Sequence, residues 1–237
     1  MSFSLKRFKV NSWVTFIFKA SAAIGFSCLV NYAFVSRASA TSPPLLLAQQ
    51  PNCTTPQTQQ EINVCANYNW QLSNRELIDA YERLVPNLSI SQRQQLVDSQ
   101  LAWEDFRNAE CQFYSSLVEG ATAQIALEYG CFSALSRQRT ITLSSYLSGE
   151  FLSETTDSDL TVENQLNKLY GQLQQTVPSY RQNRLVSAQL AWVEFYNLSC
   201  NFERSSGGTL GFTNCLVRSI EQRIRQLDNH IANLSYI

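Results

Sequence analysis

The chain has 237 residues, of which 18 are Lys or Arg, 19 are Asp or Glu and one is His, so its formal net charge is −1 at pH 7. Five of the basic residues and none of the acidic ones lie in the first 40 positions, which leaves the rest of the chain with a net charge near −6. This balance argues against nucleic-acid binding, which needs clustered Lys and Arg to neutralise phosphates, and it is compatible with a cationic partner.

The first 40 residues have the organisation of an export signal. Basic residues at their start precede an apolar stretch that ends in the small residues of positions 38–40, and a second small-residue site follows at Ala48. An uncleaved membrane anchor is the alternative, but Lys19 and Asn31 interrupt the roughly 20 apolar residues that a spanning helix needs. We therefore predict a signal peptide over 1–40, with an alternative cleavage after residue 48. The mature protein is then periplasmic or secreted and has no membrane span.

Two stretches of the remaining chain repeat one pattern at an offset of 89 residues. SQLAWEDFRNAEC at 99–111 and AQLAWVEFYNLSC at 188–200 share the letters QLAWxxFxNxxC, and the agreement extends upstream to an LxxxYxxL pattern. Two copies of one unit are therefore predicted. The boundaries are a linker at 41–52, a first unit at 53–149, a polar and acidic linker at 150–159, and a second unit at 160–237.

Each unit is predicted to be helical, because apolar residues recur at steps of three and four and no alternating strand pattern appears. Thr58 and Glu61 fit a capping box at the first helix start. Glu119-Gly120 and Ser205-Ser206-Gly207-Gly208 mark the turn before the last helix of each unit. The fold class is all-α, with two tandem units of about three antiparallel helices each. The predicted helices are 58–85, 91–117 and 122–147 in the first unit, and 160–176, 179–204 and 209–234 in the second.

Six cysteines remain once Cys28 is removed with the predicted signal, where it lies in a poor lipobox. An even number in an exported chain predicts disulfides, and six thiols allow fifteen pairings. The second unit contains only Cys200 and Cys215, which most simply pair with each other, and the first unit should pair its equivalent cysteines likewise. Both pairs are centred on a predicted turn, so their members face each other across a helical hairpin. The predicted disulfides are Cys53–Cys65, Cys111–Cys131 and Cys200–Cys215.

The repeated Trp motif supplies the candidate framework residues, which are Gln100, Trp103, Phe106, Gln189, Trp192 and Phe195. Both tryptophans fall on the apolar stripe of their helices, which predicts core packing rather than an exposed aromatic anchor for a partner. Each glutamine lies three residues before its tryptophan and so on the same side of the helix. We interpret it as a buried amide with backbone partners, with a ligand contact as the alternative. Asp105 and Glu194 should face solvent, and Tyr81 and Tyr170 should be core residues with hydrogen-bonded hydroxyls.

The sequence offers little for catalysis. His230 is the only histidine and is interpreted as a structural or surface residue. With every remaining thiol in a disulfide, neither a Cys–His nucleophile nor a zinc site can be assembled. Paired carboxylates, as in a glycosidase, stay open as a third hypothesis. We expect no enzyme activity, no cofactor and no metal, and the pattern identifies no binding residue.

The units resemble the lysozyme inhibitor LprI family in the early cysteine pair, the LxxxYxxL pattern, the QxAWxxFRxxxC motif and the final cysteine. The first unit matches most fully and includes Arg107 and Arg139, whereas the second lacks the first cysteine pair and has Tyr196 in place of Arg107. The resemblance implies an exported bacterial protein that binds and inhibits a cationic lysozyme. The alternative is an envelope interaction module without inhibitory activity. Exposed acidic loops at 119–122 and 205–209 would favour the inhibitor, and an exposed apolar groove between the units would favour the module.

Overall fold

The structure is a computed structural model that describes residues 51–149 and 159–234. The predicted signal peptide and nearly all of both predicted linkers lie outside the described residues. None of the described helices is both long and apolar enough to cross a membrane.

The described residues form helices and contain no strand, which confirms the all-α fold class. Short 3-10 segments at Val85–Asn87 and Ser116–Val118 extend the first two helices. The α-helices are α1 (Gln59–Leu84), α2 (Ile90–Ser115), α3 (Gln124–Ser148), α4 (Asp159–Thr176) and α5 (Ser179–Leu234). We call α1 to α3 the first repeat, and α4 with α5 the second repeat.

Capping boxes fix the starts of the first two helices. The Thr58 hydroxyl accepts from the amide of Glu61, whose carboxylate accepts in turn from the amides of Gln57 and Thr58. These backbone hydrogen bonds lower the pKa of Glu61, because they stabilise its charged form. Ser89 and Gln92 form a second box at the start of α2, which the sequence analysis did not identify.

The helical backbone of α5 continues from Ser179 to Leu234, across the turn that was predicted between helices at 179–204 and 209–234. In a straight helix, the Cα atoms of Cys200 and Cys215 would lie about 22 Å apart at the usual rise per residue. They lie 5.4 Å apart, so α5 reverses direction between them. The reversal brings Gly211 so close to the carbonyl oxygen of Glu203 that an added Cβ would lie 3.0 Å from it. Glycine is suited to such a backbone approach.

Three disulfides join the chain, between Cys53 and Cys65, Cys111 and Cys131, and Cys200 and Cys215. The second joins α2 to α3, and the third joins the two arms of α5. Each closes a short loop, which stabilises a fold by about 3 kcal/mol where strain is small.

Both repeats contribute to one compact unit with a shared core. Within the first repeat α1 packs along α3, within the second α4 packs on α5, and α2 packs against α5 across the repeats. The largest fully buried apolar side chains come from both repeats and are Leu84, Leu96, Phe106, Phe113, Leu143, Val162, Leu173, Leu185, Phe202 and Leu227.

Candidate functional site

The two copies of the Trp motif meet where α2 packs against α5. Phe106 and Phe195 occupy equivalent positions in the two repeats, and their rings stack with centroids 5.8 Å apart and planes at 4°. Contact between equivalent residues marks an approximate twofold axis, as in an isologous dimer interface. Trp103 and Trp192 are buried beside this contact, at 3% and 5% exposure.

Two arginines extend the twofold relationship. Arg139 lies eight residues after Cys131 and Arg223 lies eight residues after Cys215, so the two arginines are equivalent. The guanidinium of Arg139 lies 5.3 Å from the ring centroid of Phe195, and that of Arg223 lies 5.5 Å from the ring centroid of Phe106. Each repeat thus places a buried cation over the central phenylalanine of the other, a favourable contact when both groups are desolvated.

The repeated glutamines hold these arginines. Gln100 Oε1 accepts from Arg139 Nε at 3.1 Å, and Gln189 Oε1 accepts from Arg223 Nε at 3.1 Å. Both amides are half-buried. Their partner is therefore a guanidinium on the neighbouring helical segment and not the backbone that the sequence analysis expected.

A third reciprocal contact lies further from the axis. Phe113 of the first repeat meets His230 of the second with centroids 5.3 Å apart, and Phe202 of the second meets Tyr146 of the first at 5.0 Å. Tyr146 and His230 are equivalent, because each lies 15 residues after the last cysteine of its repeat. His230 is only 6% exposed and is therefore buried in this interface.

One half of the interface contains a buried ionic group that we call the Glu110 cluster, made of Glu110, Arg223 and His230. Arg223 Nη1 lies 2.7 Å from Glu110 Oε2, and His230 Nε2 lies 2.6 Å from Glu110 Oε1. Burial alone would raise the pKa of Glu110, but Arg223 and His230 lower it to about 2. The carboxylate is therefore ionised at neutral pH.

The other half contains the Glu203 cluster, made of Arg139, Tyr146, Ser199, Glu203 and Arg218. The Tyr146 hydroxyl donates to Glu203 Oε1 at 2.6 Å, and Arg218 Nη2 donates to both oxygens of the same carboxylate at 2.6 and 2.7 Å. Ser199 Oγ lies 3.4 Å from the Tyr146 hydroxyl. Burial and the Glu203 charge raise the pKa of Tyr146, so its hydroxyl stays protonated. A cavity of about 30 Å³ lies among these side chains.

Glu110 is not suited to the role of a glycosidase acid, which needs a carboxyl group with a raised pKa, because its own pKa is lowered to about 2. Within residues 51–149 and 159–234, no group of three or more His, Cys, Asp or Glu side chains could hold a metal ion.

Exposed acidic loops at the two turns would favour an inhibitor, and the described residues there supply one acidic side chain, Glu119. Glu119 is exposed but lies 2.8 Å from Arg184 Nη2, and residues 205–207 contain no acidic side chain. Exposed carboxylates occur instead at Glu76, Asp79 and Glu82, three residues apart on one face of α1. They form no ion pair with any residue in the described part of the chain, and we call them the α1 acidic stripe.

The negative charge is concentrated in the first repeat. Residues 51–149 contain ten acidic and six basic residues, whereas residues 159–234 contain six acidic and seven basic residues. The first repeat therefore offers the more negative surface to a partner.

The family model described as Lysozyme inhibitor LprI matches residues 51–143 and 156–227, which together make up more than half of the chain. The chain belongs to the lysozyme inhibitor LprI family. The two matched segments correspond to the two copies of the unit, so the resemblance seen in the sequence is confirmed. An uncharacterised protein of Rhizobium meliloti (strain 1021) is 23% identical over 116 residues, which cover 44% of this chain and 84% of that protein.

A crystal structure of an uncharacterised protein from Burkholderia thailandensis is similar in fold. Its TM-score is 0.55 at 17% sequence identity, and the match covers 73% of this chain and 87% of that one. At this identity the likeness shows the helical fold alone.

Sequence analysis identified the framework residues but missed most of the buried polar groups around them. It named Arg139 only as part of the family resemblance, and it did not single out Glu110, Tyr146, Glu203 or Arg223. The sequence feature that could have identified the two arginines is their equal spacing from the last cysteine of each repeat.

Proposed function

We propose that this LprI family protein binds and inhibits a lysozyme-type muramidase, and that it does so as an exported protein without catalytic activity of its own. Membership of an inhibitor family is the observation that carries the proposal. The three disulfides support an oxidising, extracytoplasmic location.

We further propose that the α1 acidic stripe contacts the enzyme. Its three carboxylates are exposed and free of ion pairs with described residues, so binding a cationic protein does not require an existing salt bridge to be broken. Complementary charge accelerates association and fixes orientation, and salt screens it. Inhibition should therefore weaken as ionic strength rises.

An envelope module without inhibitory activity was expected to have an exposed apolar groove between the repeats. The described residues at this position are instead the stacked Phe106 and Phe195, and Trp103 and Trp192 of the same motif are also buried. We therefore do not propose the envelope module as a second function.

The test is the lysis of cell-wall substrate by lysozyme in the presence of increasing amounts of the oxidised protein. A reduced and alkylated sample is the first control, since it lacks the disulfides that hold the surface in place. We expect dose-dependent inhibition by the oxidised form only. Absence of inhibition at a large molar excess would refute the proposal for the lysozyme tested.

The contact surface is tested with two matched double variants. Asp79→Lys with Glu82→Lys reverses charge in the stripe, and Glu194→Lys with Asp228→Lys makes the same change in net charge at exposed positions of the second repeat. We expect the first pair to weaken inhibition by at least about tenfold, equivalent to about 1.4 kcal/mol, and the second to have little effect. Equal effects of both pairs would indicate net charge alone.

A further inference from the structure

The two halves of the twofold interface differ at several positions that carry charge, and one of them lies next to the repeated cysteine. Glu110 immediately precedes Cys111, and its equivalent before Cys200 is Ser199. In the first half the Glu110 carboxylate neutralises Arg223 at 2.7 Å. In the second half the equivalent arginine, Arg139, forms no ion pair with any carboxylate of the described residues, and Ser199 carries no carboxylate.

The hydrogen bonds of the two arginines differ in the same way. Arg139 donates from Nε to Gln100 and from Nη2 to Ser99, two neutral acceptors, at 3.1 and 3.0 Å, and the Tyr146 hydroxyl and the Glu203 carboxylate also interact with its guanidinium. Its Nη1 is buried and has no hydrogen-bond partner among the described residues. In Arg223, Nη1 is the atom that contacts Glu110. The unpartnered atom of Arg139 is therefore equivalent to the one that binds a carboxylate in the other half.

A second difference between the repeats accounts for the unpartnered nitrogen of Arg223. Arg223 Nη2 lacks a hydrogen-bond partner within the described part of the chain. In the other half, Arg139 Nη2 donates to Ser99, but the residue equivalent to Ser99 in the second repeat is Ala188, which has no acceptor atom in its side chain. Each arginine thus has one unpartnered nitrogen because the residue that would accept its hydrogen bond is replaced in that half of the interface.

A cavity in the Glu203 cluster lies beside the Arg139 guanidinium. It measures about 30 Å³ and is lined by Arg139, Tyr146, Ser199, Glu203 and Arg218 among others. This is enough for one water-sized particle. Among the described side chains that line it, two carry guanidinium groups and one carries a carboxylate. A buried charge without a partner is costly.

We propose that this cavity binds one small monovalent anion of the size of chloride, in the place that the Glu110 carboxylate occupies in the other half. Glu203 does not fill this role, because Arg218 and Tyr146 already engage its oxygens. A water molecule would accept a hydrogen bond from Arg139 Nη1 but would bring no negative charge to the buried guanidinium. The anion stabilises the interface between the repeats, and its binding is independent of any lysozyme.

Thermal unfolding of the oxidised protein in sodium chloride and in sodium gluconate, mixed at constant ionic strength, tests the proposal. Gluconate is too large for the cavity, so only chloride can bind there. We expect the melting temperature to rise by about 3–5 °C for each tenfold increase in chloride above its dissociation constant. The matched variant Ser199→Glu restores the missing carboxylate and should lose this dependence. A melting temperature that does not respond to chloride, or responds equally in both proteins, would overturn the proposal.

Anomalous diffraction from crystals grown in sodium bromide gives a second readout that needs only the wild-type protein. We expect a bromide peak within hydrogen-bonding distance of Arg139 Nη1, and no peak there in Ser199→Glu where that variant folds. A wild-type cavity that holds water without anomalous signal would overturn the proposal, whatever the behaviour of the variant.

Discussion

Glu110 of the first repeat and Arg223 of the second form an ion pair at 2.7 Å, with side-chain exposures of 3% and 0%. The pair joins α2 to the returning arm of α5, so it ties together two parts of the chain that are distant in sequence. A buried charge pair of this kind contributes less through its attraction than through the cost of leaving either member alone. The pair therefore specifies how the repeats pack on each other.

Removing one charge of this pair should destabilise the whole protein. Glu110→Gln leaves the buried Arg223 guanidinium without a counter-charge, and we expect the free energy of unfolding to fall by about 3–5 kcal/mol. Urea unfolding followed by circular dichroism measures the change. Glu104→Gln, at an exposed position of the same helix, should change it by less than about 0.5 kcal/mol. Similar losses in the two variants would contradict this assignment.

The same carboxylate should make stability depend on acid pH. The pKa of Glu110 is lowered from 4.5 to about 2 in the folded protein, so folding favours the ionised form. Its contribution is complete above the unfolded pKa and is lost as the pH falls through the folded one. We expect the stability difference between wild type and Glu110→Gln to shrink by about 3 kcal/mol as the pH falls from about 5 to 2. A difference that does not vary with pH would show that Glu110 is not the titrating group.

The helices and their cross-links could be predicted because their signals are local. Thr58 and Glu61 mark the start of α1 within three residues of each other. The cysteine pairs are at most 20 residues apart and are arranged around turns. The all-α fold class follows from such short-range patterns, and here it was correct.

The contact between the repeats could not be predicted in the same way. His230 and Glu110 are 120 residues apart, and neither position has a local pattern that distinguishes a buried polar group from a solvated one. The turn in α5 was placed at Gly207-Gly208 because two adjacent glycines usually mark a loop. The close backbone approach is at Gly211, which depends on how the two arms of α5 pack.

Alanine at two helical glycines should therefore have opposite effects. A Cβ at Gly171 in α4 would meet no atom within 4 Å, so Gly171→Ala should stabilise the protein by about 0.5–1 kcal/mol through helix propensity. A Cβ at Gly211 would lie 3.0 Å from the Glu203 carbonyl oxygen, so Gly211→Ala must displace backbone at the reversal of α5. We expect it to destabilise by about 1 kcal/mol or more. Urea unfolding of both variants measures the two changes in stability. A stabilising effect of Gly211→Ala would show that the backbone of Gly211 does not lie so close to the Glu203 carbonyl in solution.

The stack of Phe106 on Phe195 should appear as an energetic coupling between the repeats. Stacked aromatic pairs contribute about 0.5–1.5 kcal/mol beyond their buried area, and a double-mutant cycle isolates this term. Leucine is the replacement of choice, because it keeps most of the apolar volume while removing the ring.

We expect Phe106→Leu and Phe195→Leu together to cost less than the sum of their separate effects, by about 0.5–1.5 kcal/mol. The control cycle pairs Phe106→Leu with Phe212→Leu, since Phe212 contacts Arg204 in the second repeat and has no ring contact with Phe106. Effects in the control should add within about 0.5 kcal/mol, because residues without a shared contact act independently. Additivity in both cycles would mean that the twofold contact between the repeats does not depend on this stack.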